Sequence, residues 1–316
     1  MHAFDKCSKL WKKAGKPKSS EIILEVLNHT LSYPGQTRWN SYFDSISQIL
    51  KEKHKLPTLF QRLDLVGFKE TEVQYLEEYV MVMSPLAATL DFLQGQNMNY
   101  YGYLLPSIIS LKNKLEKLTV ENFSYGGQVL LEAILKGINK RFLSILTLHE
   151  RDAVFAAVLC PQFKLRWFQC ISSSNCTIEN IKHDIVKTGS RELSCRDDFD
   201  EKSSPPLAPL EVDDNFFDFN DNNENEETVS TKVKNNHKLE LELIKYLDDK
   251  RKNFEMLNDY PLLKKLSLKF NTCLPSSAAV ERMFSFASIV NSPRRNALSD
   301  DNFEMLVLLK ANYTYQ

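Results

Sequence analysis

Apolar residues recur at intervals of three or four along most of this chain, and that spacing restricts its fold more than any other feature. Between residues 71 and 168, four successive stretches show the pattern, which is typical of helices with one buried face. No stretch in that region alternates polar and apolar residues for long enough to indicate a strand. The low content of turn residues, 9 Gly and 12 Pro in 316 positions, also argues against a sandwich or barrel. The sequence therefore predicts a mainly α-helical fold.

An acidic segment interrupts this helical pattern late in the chain. Residues 195–227 contain twelve acidic and two basic residues, a net charge of −10, so the remainder of the chain carries +9. Proline and asparagine are frequent there and helical periodicity is weak, as in disordered tethers. We predict an acidic disordered linker over residues 194–235, with helix resuming around His237.

Basic residues are concentrated at the front of the chain. Residues 1–70 hold twelve Lys or Arg against seven Asp or Glu. Within them, Lys12, Lys13, Lys16 and Lys18 form a weak candidate for nuclear import or for phosphate contact. A solvated lysine face is the commoner meaning of such a cluster. This charge balance is compatible with DNA as a partner and does not require it.

The cysteines and the apolar runs exclude several classes of protein. The six cysteines show neither Cys-x-x-Cys spacing nor a finger-like Cys/His array. Cys160, Cys170, Cys176 and His183 come nearest to a cluster, but we expect buried free thiols, no metal site and no cofactor. A signal peptide and a membrane-spanning run are both absent from the sequence. We therefore expect a reduced, intracellular protein with no membrane partner and no small-molecule substrate.

Two apolar helices are predicted near the end of the chain. The first opens with Pro275 and two serines, which fit the first turn and the capping position of a helix. The second begins at Ser299, which we expect to cap it, and it is apolar on nearly every side. A helix of that kind must be buried, either in its own core or against another chain. The residues that we predict to form an association surface are Val280, Met283, Phe284, Phe303, Leu306, Val307 and Leu309.

Three separated motifs resemble those of hAT-superfamily DNA transposases and of the host proteins derived from them. Residues 37–41, Thr-Arg-Trp-Asn-Ser, look like the family's element of the same composition. Residues 158–168 resemble its Leu-Asp-Pro-Arg-Phe-Lys segment, with Cys160 where Asp is usual and Gln162 where Arg is usual. Residues 276–285 resemble the start of its C-terminal dimerisation signature. The order of the three motifs and their spread over nearly the whole chain make the resemblance specific.

The resemblance implies a catalytic fold of the RNase H type, interrupted by a helical insertion, in which three carboxylates hold two divalent metals at the scissile phosphate. The third carboxylate corresponds to Glu281. The other two belong upstream of residue 37, where Asp5 is the sole aspartate. Because one carboxylate cannot form a two-metal site, we expect no enzyme, no catalytic residue and an inert Glu281. The alternative is a truncated DNA transposase, acting by metal-dependent strand transfer, whose catalytic aspartates lie outside this chain.

Arg38 and Trp39 are the candidate nucleic-acid-binding residues. The resemblance implies that Trp39 stacks on a base extruded from a DNA hairpin. The alternative is a tryptophan packed where the core meets the insertion, since a large aromatic usually contributes by burial. Arg38 has two interpretations as well, contact with phosphate or pairing with a nearby acid.

These observations combine into one expectation for the whole chain. We predict a mainly α protein, made of a helical insertion domain and the C-terminal helices of an incomplete RNase H-like fold. Its parts are a core remnant (1–45), the helical insertion (46–193), the acidic linker (194–235) and a dimerisation region (236–316). The predicted function is a non-catalytic, transposase-derived protein that forms a homodimer or pairs with related hAT-derived chains. Residual nucleic-acid binding and a nuclear or nucleo-cytoplasmic location complete the prediction.

Overall fold

The computed structural model of the protein describes residues 2–35, 40–95, 100–171, 176–200, 227–292 and 298–312, without the side chains of 194–200 and 227–235. Every regular element within these ranges is helical and none is a β-strand. The prediction of a mainly α fold is therefore confirmed. The relation to an incomplete RNase H-like fold stays a prediction.

The described residues form fourteen α-helices, joined by turns and by short 3-10 helices at Tyr101–Tyr103, Phe168–Cys170 and Phe254–Asp259. The α-helices are α1 (His2–Ala14), α2 (Pro17–Leu27), α3 (Ser41–Lys51), α4 (Leu56–Arg62), α5 (Glu70–Leu93), α6 (Leu104–Leu118), α7 (Gly127–Arg141), α8 (Leu143–Leu146), α9 (Arg151–Val158), α10 (Ile178–Asp200), α11 (Glu227–Asp248), α12 (Pro261–Asn271), α13 (Ala278–Val290) and α14 (Asp300–Asn312).

Contacts divide the chain into two compact units. The first unit combines Met1–Leu146 with Leu274–Gln316, and the second is Thr147–Cys273. The end of the chain therefore belongs to the same unit as its beginning. The predicted domain boundaries at residues 45, 193 and 235 stay predictions.

The core of the first unit begins in α1. Cys7, Leu10 and Trp11 recur at helical spacing and are at most 2% exposed. They belong to one cluster of buried apolar side chains with residues of α2, α3, α4 and α5. Residues on both sides of the predicted boundary at residue 45 thus share a single core, because the apolar faces of α1 and α2 are covered by the three later helices.

Polar groups of the first unit complete several helix ends. Asn28 ends α2 in a left-handed backbone conformation, φ 65°, with its N–H bonded to Leu24 O at 2.9 Å. The Glu78 carboxylate accepts the backbone N–H groups of Ser124, Tyr125 and Gly127 at 2.6–3.0 Å. These amides lie at the N-terminus of α7, where a negative charge is stabilised by the helix dipole. Glu78 therefore attaches the start of α7 to α5.

The second unit is built around the C-terminal end of α9. Three side chains donate to the last carbonyl groups of that helix, which lack partners within the helix itself. The Tyr246 hydroxyl donates to Val158 O at 3.0 Å, and the Ser267 hydroxyl donates to Leu159 O at 3.1 Å. The Asn271 amide donates to Ala156 O at 3.2 Å. Helix α9 ends at Val158, three residues before Pro161, which cannot continue a helix.

The helices beside the acidic segment are longer than the sequence predicts. Helix α10 continues to Asp200, and α11 begins at Glu227, ten residues before His237. Extending an existing helix costs far less free energy than starting one, and α11 contains neither Gly nor Pro. Residues 201–226 of the predicted linker lie outside the described residues, so their disorder stays a prediction.

The expectation of buried cysteines holds at two positions. Cys7 and Cys160 are buried free thiols, and burial raises the pKa of each to about 12. The expectation is wrong for Cys170 and Cys273, which are exposed, and for Cys176, which is partly exposed. All three lie outside the α-helices, where the chain offers less apolar cover. None of the helices in the described ranges is long and apolar enough to cross a membrane.

Candidate association surface

Polar contacts hold the start of α13 against the end of α5. The Ser276 hydroxyl donates to Leu93 O at 3.0 Å, and the Arg282 guanidinium donates to Gln94 O at 2.8 Å. The Ser277 hydroxyl donates to the Glu281 carboxylate at 2.6 Å and forms no capping bond to a backbone amide. The predicted capping role is therefore wrong for Ser277, which precedes α13 directly, because its hydroxyl oxygen accepts no hydrogen bond from a free amide of the helix.

The apolar stripe of α13 faces solvent in this chain. Val280 is 52% exposed, Met283 is 44% exposed and Phe284 is 67% exposed. Their spacing of three and four places them on one face of the helix, as the sequence predicts. Val290 is the residue of α13 that is buried. Helix α13 is therefore positioned by hydrogen bonds at its start while its apolar stripe stays uncovered.

Helix α14 is also largely uncovered within this chain. Met305, Leu308 and Leu309 are 57%, 43% and 60% exposed, so the helix is not buried in the core of its own chain. Phe303 and Leu306 are half-buried. Val307 differs from the other predicted surface residues because it is only 5% exposed. Its side chain supports the packing of α14 within this chain.

An apolar groove runs between α13 and α14, with a volume of about 470 Å³. It contains five of the seven predicted association residues, and it contains four residues that sequence reasoning did not select for this role. The nine residues that line this α13–α14 groove are Val280, Met283, Phe284, Ala287, Asp300, Phe303, Glu304, Val307 and Leu308. Leu306 and Leu309 lie outside it. The helical spacing of Ala287 and Leu308 relative to the predicted residues is the signal that was available to find them.

The segment 158–168 has a structural role that its sequence did not reveal. The Lys164 ammonium is buried, and it donates to Tyr246 O at 2.6 Å and also to Asp249 O. It lies 4.7 Å from the centre of the Tyr246 ring, and burial lowers its pKa. Because these carbonyl groups end α11, the lysine neutralises the negative end of that helix. The resemblance alone identified this segment, and nothing local indicated a partner more than eighty residues away.

The candidate nucleic-acid-binding residues Arg38 and Trp39 lie outside the described residues. Their two neighbours on the C-terminal side, Asn40 and Ser41, are described. The Asn40 amide donates to Ala87 O at 2.9 Å and to the Asp91 carboxylate at 2.7 Å, and the Ser41 hydroxyl donates to Gly35 O at 2.7 Å. Asn40 therefore joins the start of α3 to α5, and Ser41 joins it to Gly35.

Glu281 and Asp5 are both exposed side chains on helices of the first unit. Neither belongs to a group of three acidic, histidine or cysteine side chains placed to hold a metal ion, a statement that covers the described ranges only. The contact that the structure gives to Glu281 is the bond from Ser277. A carboxylate in that environment stabilises the first turn of α13, near the positive end of the helix dipole.

Comparison with known proteins adds two findings. Residues 224–313 match the hAT family C-terminal dimerisation region, which begins twelve residues before the predicted start at residue 236. The human protein "Zinc finger BED domain-containing protein 4" is 22% identical over an alignment that covers 94% of this chain and 26% of that protein. The chain thus spans about a quarter of the length of this relative.

The matched region is shared between the two units. Helices α11 and α12 belong to the second unit, whereas α13 and α14, with their exposed apolar groove, belong to the first. The three motifs, the match over residues 224–313 and the human relative agree with one another. They identify the chain as a hAT transposase-derived protein that carries the C-terminal dimerisation region of this family.

Proposed function

We propose that this chain is a non-catalytic association module, which pairs with a second copy or with a related chain through α13 and α14. The observation that carries the proposal is the exposed apolar stripe of α13, in which Phe284 is 67% exposed. Contiguous exposed apolar surface of this kind is typical of interfaces between proteins. The match of residues 224–313 to a dimerisation region supports the same conclusion independently.

Sedimentation of the purified chain tests the proposed association. At micromolar concentration we expect a dimer, and Phe284→Ser should shift the equilibrium towards monomer. Covering a phenylalanine side chain contributes about 2–3 kcal/mol. At about 1.4 kcal/mol for each tenfold change, the substitution should raise the dissociation constant roughly 30-fold or more. Circular dichroism should remain unchanged, because the side chain has few contacts to lose within its own chain.

Val129→Ser provides the matched control. Val129 is 73% exposed on α7 and lies outside the α13–α14 groove, so its substitution should leave the dissociation constant unchanged. Leu309→Asp probes the outer side of α14, where the side chain is 60% exposed. A wild-type chain that stays strictly monomeric at micromolar concentration would contradict the proposal.

The absence of catalysis is a separate part of the proposal. It is supported by the exposed position of Glu281 and by its bond from Ser277, which occupies one carboxylate oxygen. The test is cleavage of duplex and hairpin DNA by this chain in the presence of Mg²⁺ or Mn²⁺, for which we expect no product. Metal-dependent cleavage that is abolished by Glu281→Gln would establish the alternative, a transposase fragment that retains its chemistry.

Nucleic-acid binding is the second candidate function, and the first two helices favour it. Lys12, Lys16 and Lys18 are exposed, and the described part of the chain gives them no ion pair. Lys13 differs, because its ammonium donates to Leu63 O at 3.1 Å. Three free cations at the junction of α1 and α2 suit a phosphate backbone. Replacing the three with alanine should weaken DNA binding at low salt, and binding that ignores both salt and these substitutions would reject the role.

A nuclear location is proposed from the same lysines, because short basic clusters serve as import signals. A fluorescent fusion of the chain should accumulate in the nucleus. The triple alanine variant should lose that accumulation while keeping its dissociation constant for self-association, since the lysines lie far along the chain from α13 and α14. Equal cytoplasmic distribution of both proteins would count against the proposal.

A further inference from the structure

The α13–α14 groove carries a negative charge at its edge. Asp300 and Glu304, one turn apart on α14, line the groove beside its apolar residues and are both exposed. Among the described residues, no basic side chain lines it. Arg282 is bonded to Gln94 O. Lys310 comes six residues after Glu304, which places it on another side of α14. An occupant of this groove should therefore combine an apolar side chain with basic neighbours.

Helix α12 presents such a surface. Leu268 is 62% exposed on it, whereas Leu263 and Leu266 on its other side are at most 2% exposed. Lys264 and Lys265 precede Leu268 by four and three residues, so both lie beside it on the exposed face. The helix contains no acidic residue. An apolar side chain with two adjacent cations is thus exposed within the same matched region, 224–313.

We propose that the α13–α14 groove of one copy receives α12 of a second copy. Leu268 enters among the apolar residues of the groove, and Lys264 and Lys265 lie against Asp300 and Glu304. The two surfaces differ, so a symmetric pair contains the contact twice, once for each groove. The inference rests on the proposed self-association and adds which surfaces meet. It also explains why the dimerisation region includes α12 as well as the groove.

Charge reversal tests the ionic part of this contact. Lys265→Glu and Glu304→Lys should each raise the dissociation constant about tenfold at low salt, because each places like charges together. Their combination in one chain should restore affinity to within about threefold of wild type, since the pair is re-formed with exchanged signs. Lys187→Glu is the control, because it makes the same charge change at an exposed position on α10. Failure of the double substitution to restore affinity would overturn the inference.

A mixing experiment tests the apolar part of the contact in full-length chains. Phe284→Ser impairs the groove, and Leu268→Asp impairs the side chain that enters it. Each variant alone should therefore be monomeric. In a mixture, the intact α12 of the first variant still fits the intact groove of the second. We therefore expect a mixed dimer, detected by tagging one variant and analysing the species by sedimentation.

The outcomes distinguish this inference from the proposed self-association on which it rests. If Leu268→Asp dimerises as the wild type does while Phe284→Ser does not, the groove is an interface with another occupant and the inference is wrong. If the wild type does not dimerise, the proposed self-association itself fails. Should Leu268→Asp lose helical signal, the pair Lys264→Glu and Lys265→Glu replaces it, because both side chains are exposed and their loss leaves the core intact.

Discussion

The two halves of the matched region, α11–α12 and α13–α14, differ in how many of their apolar side chains lie in the core. Leu239, Leu243 and Leu263 of the first pair are at most 1% exposed. Phe284 and Leu309 of the second pair are 67% and 60% exposed. Both pairs have the helical spacing of amphipathic segments, so periodicity alone does not distinguish them. What distinguishes them is whether another helix of the same chain covers the apolar face.

The difference shows how each pair is held in place. Helices α11 and α12 are packed through apolar side chains and through hydrogen bonds to the end of α9. Helix α13 is attached by the polar contacts of Ser276 and Arg282 to the end of α5. Hydrogen bonds of this kind orient the helix and leave its apolar side chains exposed. The first pair therefore covers one apolar face within the fold, whereas the apolar stripe of α13 stays exposed.

The largest expected effect on stability comes from truncating one buried leucine in the first pair, α11–α12. Leu263→Ala should lower the free energy of unfolding by about 2–5 kcal/mol, because a buried side chain is lost and a cavity remains. Phe284→Ala should change it by about 0.5 kcal/mol or less, as for other exposed positions. Both are measured by urea unfolding at a concentration low enough to keep the chain monomeric.

The opposite outcome for either variant would contradict this contrast between α11–α12 and α13–α14. A Phe284→Ala variant that loses several kcal/mol as a monomer would mean that α13 stabilises its own chain. A Leu263→Ala variant that unfolds normally but fails to associate would mean that α12 serves the partner alone. Association of both variants should be measured in parallel by sedimentation.

Much of this architecture could be predicted from the sequence. Helical spacing predicts the helices, Pro161 predicts the end of α9, and the apolar character of α14 predicts that it needs a cover. The sequence could not supply the choice between a cover from the same chain and one from another. Helix α14 is apolar on nearly every side, so its pattern indicates no direction. The partner of Lys164 was also hidden, because that contact joins residues 82 apart in the chain.

The second prediction concerns Lys164, because it joins the motif at residues 158–168 to the end of α11. Lys164→Met should lower the free energy of unfolding by about 2 kcal/mol, because the buried carbonyl of Tyr246 and the partly buried carbonyl of Asp249 lose their donor. Methionine keeps an unbranched apolar side chain one atom shorter than that of lysine, so most of the packing of the lysine stem is retained. Lys187→Met is the control, an exposed lysine of the same unit that should have no measurable effect. An equal effect of the two substitutions would remove the proposed role of Lys164.

Gly189 provides the third prediction, because α10 and α12 approach each other closely there. A Cβ atom at Gly189 would lie 2.6 Å from Leu266 Cδ1 and 2.8 Å from Leu239 Cδ2. Gly189→Ala should therefore lower the free energy of unfolding by about 1 kcal/mol, the cost of overpacking less the gain in helix propensity. Gly137→Ala on α7 is the matched control, with no atom within 4 Å of the added carbon. It should raise the free energy of unfolding by up to about 1 kcal/mol, and a gain at both sites would mean that α12 shifts freely.

The smallest expected effect concerns the C-terminal end of α11, where low pH should lower the stability of the folded chain. The Arg251 guanidinium, 2.7 Å from the Asp249 carboxylate, holds the pKa of that carboxyl well below its ordinary value of 3.8. A lowered pKa in the folded state contributes stability above the unfolded value, and this contribution is lost as the pH falls below about 4. The urea midpoint of the wild type should therefore fall between pH 5 and pH 2.5 by more than that of Asp249→Asn. Asp248→Asn, an exposed neighbour, should behave as the wild type does. Identical slopes for Asp249→Asn and wild type would show that the ion pair adds no stability to the folded state, leaving Lys164 and apolar packing to hold this end of α11.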